Sequence, residues 1–97
     1  TAMITILGKP YQIVRVESIH EDERIGECDV DNGCISILSG LNRDVYLETA
    51  LHEIIHAVDK EMLIGLTEEQ VQRLGVSLYA VYKENAMDIT FKPGGGL

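Results

Sequence analysis

The chain has 97 residues, of which 45% are hydrophobic, and carries a formal net charge of −8 at pH 7. This length predicts a single domain over residues 1–97, which buries somewhat more than roughly 60% of the surface that its unfolded form exposes. The negative charge argues against nucleic acid and against an anionic membrane as direct partners, and no apolar run is long enough for a membrane span. Two cysteines are too few for a disulfide framework, so we expect free thiols and a cytoplasmic location.

The first part of the chain predicts a β-hairpin followed by a polar loop. Residues 3–7 and 11–16 are rich in β-branched and apolar side chains, and they flank a turn at residues 8–10 that contains glycine and proline. Residues 18–24 are polar and acidic, which indicates a loop. His20 lies in that loop, and we leave it out of the candidate site because a lone loop histidine is commonly solvated.

A second hairpin is predicted over residues 25–38. Asn32 and Gly33 both tolerate positive φ and are typical of a two-residue hairpin turn. That turn predicts a buried face made of the pairs Cys28 with Ile37 and Val30 with Ile35. Cys34 then lies on the opposite face from Cys28, which excludes a bridge between the two thiols.

The segment from Arg43 to Ile64 predicts an amphipathic helix. Asn42 is a suitable N-cap, Asp44 lies in the first turn, where the helix dipole favours an acid, and Gly65 provides a stop. The apolar residues recur at spacings of three and four, which predicts a core-facing stripe: Leu47, Leu51, Ile55, Val58 and Met62.

A second helix is predicted from Thr67, whose hydroxyl pairs with Gln70 in a capping box, to about Asn85. Gly75 would allow another helix to approach closely, and residues 89–91 suggest a short strand. The predicted buried stripe of this helix comprises Val71, Leu74, Leu78, Val81 and Tyr82. Two hairpins followed by two helices predict an α+β fold, with a small antiparallel sheet packed on both helices.

The first helix contains the sequence His-Glu-Ile-Ile-His at residues 52–56. Histidines four residues apart stack on one helix face and can bind one metal ion, for which zinc is the usual occupant. Glu53 is then placed to act as general base towards a zinc-bound water that attacks a peptide bond. The alternative is that His52 and His56 are ordinary residues of the helix surface.

A zinc peptidase site needs a third protein ligand, and the chain has no later histidine, so a carboxylate must serve. The candidates are Asp59, Glu61, Glu68, Glu69, Glu84 and Asp88. We rank Glu68 first, because it lies one turn before Val71 at the edge of the predicted buried stripe, and Glu69 second. The alternative for both is the acidic first turn that any helix favours.

The motif and its surroundings resemble a known group of enzymes. Residues 51–57 (Leu-His-Glu-Ile-Ile-His-Ala) and 66–74 (Leu-Thr-Glu-Glu-Gln-Val-Gln-Arg-Leu) are similar to the small gluzincin-type zinc metallopeptidase domains of phages and bacteria, both ImmA/IrrE-like and SprT-like. The resemblance covers about residues 25–85. It implies that the strand before the motif helix lines the cleft, that the two motif histidines and a later glutamate bind zinc, and that Glu53 is the base.

This chain departs from the ImmA/IrrE pattern at the start of the second helix. Relatives open that helix with Glu-Ala-Asn, whereas here Gln70 takes the glutamate position and Glu68 and Glu69 lie just upstream. Either a neighbouring glutamate serves as the ligand, or this member binds metal weakly and is inactive.

Two functional hypotheses follow. The first is a zinc-dependent peptidase acting on a protein or peptide, in which an extended substrate pairs with the edge strand at residues 34–38 and Tyr79 or Tyr82 stabilises the oxyanion. The second is a catalytically inactive zinc-binding module that recognises another protein.

Overall fold

The computed structural model of the chain describes residues 2–19 and 24–93. Its elements in chain order are β1 (Ala2–Ile6), β2 (Lys9–Val16), β3 (Gly26–Asp29), β4 (Cys34–Leu38), α1 (Arg43–Met62), α2 (Glu68–Glu84) and β5 (Lys92–Pro93). The α+β class and the order of two hairpins and two helices are as predicted, and α1 contains the His52–His56 motif. The strand expected at residues 89–91 is wrong, since β5 starts after it. His20 lies outside the described residues.

The sheet is mixed, and the prediction of a purely antiparallel sheet is wrong. Its five strands have the order β3-β4-β2-β1-β5, and β2 runs parallel to β4. The second hairpin does not follow the first in space: the connection after β2 carries the chain to the outer edge, and β4 then returns between β3 and β2. Among the described strands, β3 therefore forms one edge of the sheet and β4 is internal.

The first hairpin turns earlier in the chain than predicted. Leu7 and Gly8 form the turn, with φ of 51° and 84°, as a two-residue turn between right-twisted strands requires. Pro10 belongs to β2, opposite Thr5.

The second hairpin has a different register from the predicted one. Cys28 pairs with Ile35 and Asp29 with Cys34, so the connection is longer by two residues than a tight Asn-Gly turn. The Asp29 carboxylate accepts hydrogen bonds from the backbone and side-chain nitrogens of Asn32, at 3.2 and 2.8 Å, which stabilises the longer turn. A slip of two residues keeps each side chain on its predicted face, so Cys28 and Cys34 lie on opposite faces.

The hydrophobic core lies between the sheet and α1. Small residues on α1 let it lie close to the strands, and the core cluster consists of Ile6, Tyr11, Ile13, Ile35, Ile37, Ala50 and Ala57. The predicted stripe on α1 is only partly right, because Leu47 is buried but Met62 is 60% exposed. α1 ends at Leu63, two residues before Gly65, in a left-handed cap.

α2 packs mainly against α1, and its predicted buried stripe is largely wrong. The capping box of Thr67 and Gln70 is present, and the helix ends at Asn85 as expected. Its buried residues are Val71, Gly75 and Tyr79, whereas Leu74, Leu78 and Val81 are 41%, 39% and 47% exposed. Among the described residues, no helix is both long enough and apolar enough to cross a membrane.

Candidate metal and active site

α1 presents the two motif histidines on one side of the molecule. Asn42 caps the helix by accepting a hydrogen bond from the Val45 amide at 2.9 Å, and the regular helix that follows places His52 and His56 one turn apart. Their ring centroids lie 4.9 Å from each other, with the ring planes inclined by 67°. Both side chains are mostly buried, with 17% and 24% of their surfaces exposed, so both keep a face open to the cleft beside α1.

Glu68, the first residue of α2, lies directly opposite both imidazoles. Its two carboxylate oxygens are 2.9 Å from His52 Nε2 and 2.8 Å from His56 Nε2. The helices pack against each other at Gly75, which faces His52: a Cβ at Gly75 would lie 3.6 Å from the His52 Cα, an ordinary van der Waals distance. The expected close approach at Gly75 is therefore seen, and the capping box at Thr67 sets the helix start that directs Glu68 towards the histidines.

These three side chains suit a zinc ion in number and chemistry. One ligand atom from each of His52, His56 and Glu68 lies within 4.8 Å of the others. Zinc bonds of about 2.0–2.1 Å in a tetrahedron separate ligand atoms by about 3.3 Å, which is compatible with atoms that lie within 4.8 Å of one another.

The other carboxylates considered as ligands have different partners or positions. Glu69 is paired with Arg73 on the outer face of α2. Asp59 accepts hydrogen bonds from the backbone amides of Gly65 and Leu66 at 2.8 and 2.9 Å, which ties the turn between the helices to α1. The remaining candidates are Glu61, which accepts from the Tyr11 hydroxyl, Asp88, which pairs with Arg43, and Glu84, which is exposed.

Glu53 lies at the floor of the cleft and is only 6% exposed. It is buried because α1 crosses β3 at Gly26, where a side chain is absent: a Cβ there would lie 2.9 Å from Glu53 Oε2 and 2.6 Å from Thr49 Cγ2. Burial, together with the charges of Glu68 and Glu27, raises the pKa of Glu53 to about 7. The group can therefore change protonation state near neutral pH, as a general base requires.

The cleft around this cluster has a volume of about 750 Å³ and lies between β3, α1 and α2. Apart from the histidines, Glu53 and Glu68, residues that line it include Arg24, Gly26, Glu27, Cys28, Glu48, Lys60, Gln72 and Val76. Burial and the nearby charge of Glu53 raise the pKa of the Cys28 thiol to about 11, so this thiol is neutral in the metal-free protein at neutral pH.

Two sequence-based expectations about the cleft need correction. The strand that lines it is β3, not β4. β4 has a neighbour on each side and therefore no free edge for a substrate. Neither Tyr79 nor Tyr82 lines the cleft. The Tyr79 hydroxyl donates to Asp44, and Tyr82 lies in a separate apolar groove beside β1.

Sequence reasoning missed Gly26 and Lys60. Gly26 stands at the start of a strand, and its need for hydrogen in place of a side chain arises from a helix more than twenty residues later. Lys60 lies four residues after His56, a spacing that places it on the same helix face, and that signal was available in the sequence.

Neither the scan of protein-family models nor the searches of curated proteins and of solved structures found a match to this chain.

Proposed function

We propose that this protein is a zinc-dependent metallopeptidase that hydrolyses peptide bonds in the cleft between β3, α1 and α2. The observation that carries the proposal is the convergence of His52, His56 and Glu68, whose ligand atoms lie within 4.8 Å of one another beside the buried carboxyl of Glu53. Two imidazoles and one carboxylate leave a fourth position open on a tetrahedral ion, which is the arrangement of catalytic rather than structural zinc sites.

Zinc, when bound, would supply Lewis-acid activation of water and of the scissile carbonyl. Glu53 would act as general base by accepting a proton from the attacking water, and then as general acid by donating it to the leaving amine. Its raised pKa of about 7 in the metal-free protein would be lowered by a nearby dication, which favours the carboxylate form that a base needs.

The free edge of β3 is the best docking site for an extended substrate. β3 pairs on one side with β4 and on the other side faces the cleft, where no described strand pairs with it. Its backbone groups there can pair with a peptide strand added at that edge. A peptide bound there would run past Gly26 and Cys28 in front of the histidine pair. We therefore propose proteins or peptides as substrates, and neither nucleic acid nor membranes as partners, since the chain is strongly acidic.

The second candidate function is a catalytically inactive zinc-binding module that recognises another protein. The exposed apolar side chains of α2, Leu74, Leu78 and Val81, favour this alternative because such surfaces occur at protein contacts.

Metal content and cleavage together test the proposal. Protein purified without chelator should contain about one zinc ion per chain, and His52→Ala and His56→Ala should each lose it. The Glu53→Gln variant should retain zinc and cleave an unfolded protein substrate about 10²–10⁴-fold more slowly than the parent. A zinc-loaded parent that cleaves nothing in a broad peptide library, but binds a partner protein as well as Glu53→Gln does, would favour the binding module.

A further inference from the structure

We propose that Lys60 determines substrate specificity by receiving a carboxylate of the bound peptide, so that the cleft prefers peptides with an acidic group near the scissile bond. This inference rests on the proposed peptidase function and names its substrate class. The carboxylate can belong to an aspartate or glutamate side chain or to the C-terminus of the peptide, since both have the same chemistry.

Lys60 is placed in line with the metal-binding histidines. It lies four residues after His56 and eight after His52 on α1, so the three side chains share one helix face. Four residues correspond to about 6 Å along the helix axis, and a peptide strand advances by about 3.3 Å per residue. Lys60 lines the same cleft, and for a peptide that runs along α1 it is level with a residue about two positions from the scissile bond.

Among the described residues, the ammonium of Lys60 has no hydrogen-bond or ion-pair partner. Among the lysine and arginine side chains that the structure describes, each of the others forms an ion pair with a carboxylate or lies over an aromatic ring, as Arg73 does with Glu69 and Lys83 with Asp44. The Lys60 side chain forms neither a hydrogen bond nor an ion pair with a described residue. A carboxylate of a bound peptide would provide an ion-pair partner for Lys60.

The carboxylate of Asp29, at the end of β3, is held by hydrogen bonds from Asn32. The pKa of Asp29 lies below its ordinary value because the side chain and backbone of Asn32 donate hydrogen bonds to it, with a smaller contribution from the Lys60 charge. Asp29 is thus held in the hairpin turn, at 2.8 Å from the Asn32 side-chain nitrogen, and Lys60 is left to face the cleft.

The net negative charge of the chain helps to distinguish a local effect of Lys60 from the overall electrostatic field. With a net charge of −8 and Glu27, Glu48 and Glu68 along the cleft, the general field repels anionic peptides and attracts cationic ones. A preference for a carboxylate at one peptide position must therefore come from a local cation. Because Lys60 is exposed, we expect an effect of about 2- to 10-fold, as for a partly solvated ion pair.

The test uses pairs of peptides that differ in one group. Each pair exchanges Asp for Asn or Glu for Gln at one position on either side of the scissile bond, and a further pair has a free or an amidated C-terminus. For the zinc-loaded parent we expect kcat/KM to be about 2- to 10-fold higher for the carboxylate member at one position, mainly through KM. Lys60→Met should abolish that preference, Lys60→Glu should reverse it in favour of a lysine peptide, and Lys60→Arg should retain it.

Lys83→Met is the matched control, because Lys83 lies on α2 outside the cleft and its loss should leave the preference unchanged. A cation in the last turn of α1 also interacts favourably with the helix dipole, but that structural role does not affect discrimination between matched peptides. Retention of the preference in Lys60→Met would overturn the inference. So would an equal loss of kcat for both members of each pair, which would assign Lys60 to oxyanion stabilisation.

Failure of the inference and failure of the proposed function give different results. Cleavage of both members of every pair at equal rates would leave the peptidase intact and refute the role of Lys60. If the zinc-loaded parent cleaves no peptide, the peptidase proposal is wrong, and binding of the same labelled peptides measured by fluorescence anisotropy decides the inference. Tighter binding of the carboxylate member, lost in Lys60→Met and kept in Lys83→Met, would support it, and equal binding would refute it.

Discussion

Replacing Gly26 with alanine is expected to disturb both the stability of the fold and the candidate base. Gly26 starts the edge strand β3 at the point where α1 crosses it, and the added Cβ would lie 2.6 Å from Thr49 Cγ2 and 2.9 Å from Glu53 Oε2. Both of these side chains are buried, at 7% and 6% exposure. The methyl group therefore requires α1 to move away from β3, or both side chains to leave their positions.

The magnitude follows from the cost of overpacking. Inserting a methyl group into a filled site typically costs about 1–3 kcal/mol, which in a domain of this size lowers Tm by about 4–8 °C per kcal/mol. Gly75→Ala is the matched control, because the nearest atom to its added Cβ is the His52 Cα at an ordinary 3.6 Å. In mid-helix that substitution should stabilise the fold by up to about 1 kcal/mol. The two variants should thus differ by about 1–4 kcal/mol in free energy of unfolding.

Urea unfolding and peptide cleavage provide the two measurements. Gly26→Ala should also lower the cleavage rate, by about 10²-fold if the Glu53 carboxyl is displaced by about 1 Å. Adding Thr49→Ala removes the closer of the two contacts and should recover part of the lost stability, whereas the contact with Glu53 and the slow cleavage should remain. A Gly26→Ala protein as stable and as active as the parent would show that α1 does not depend on close approach to β3.

Three further outcomes are expected. Glu68→Gln should weaken zinc binding, measured by chelator competition, far more than Glu69→Gln, because Glu68 contacts both imidazoles and Glu69 is paired on the outer face; equal, small effects would assign the third ligand elsewhere. In metal-free protein the stability contributed by Glu53 should be lost as pH rises from about 4.5 through about 7, because its pKa is raised on folding. In urea unfolding at pH 8, the free energy of unfolding of Glu53→Gln should therefore exceed that of the parent by up to about 3 kcal/mol. The difference between the two proteins should disappear near pH 4. Leu63→Gly should stabilise the protein by about 0.5–1 kcal/mol, because Leu63 is 88% exposed and has a φ of 53°; an unchanged or lower unfolding midpoint would contradict this.

The apolar groove beside β1 and the cleft differ in what they offer a ligand. The groove is lined by Met3, Leu47, Ile54, Tyr82 and Phe91 among others, and it contains no cluster of metal-ligating side chains in the part of the chain that the structure describes. Within residues 2–19 and 24–93, the cleft alone combines such a cluster with a free strand edge and a buried carboxyl. That combination, rather than volume, directs the functional proposal to the cleft.

The sequence by itself determined the features that depend on residues a few positions apart. The cap at Asn42, the capping box of Thr67 and Gln70 and the one-turn spacing of His52 and His56 all appear in the structure as expected. Each of these results from local backbone geometry and hydrogen bonds within one turn of helix, which the order of residue types largely specifies. The ranking of Glu68 above Glu69 used the helix start that the capping box sets. The structure places Glu68 beside both histidines, and its role as a zinc ligand stays a prediction.

Tertiary structure alone decided the order of the strands, the faces of the helices and the environment of Glu53. The parallel pairing of β2 with β4 depends on the path of a connecting segment, which periodicity does not record. The buried stripe predicted for α2 is wrong for the same reason. Hydrophobic spacing shows that a helix has an apolar side, but α2 contacts α1 through Gly75, and its Leu74 is exposed. Glu53 is buried, with its pKa raised to about 7, only because Gly26, distant in the chain, lets α1 lie against β3. Such contacts between distant residues arise when whole elements pack, and packing depends on shape in three dimensions rather than on neighbours in sequence.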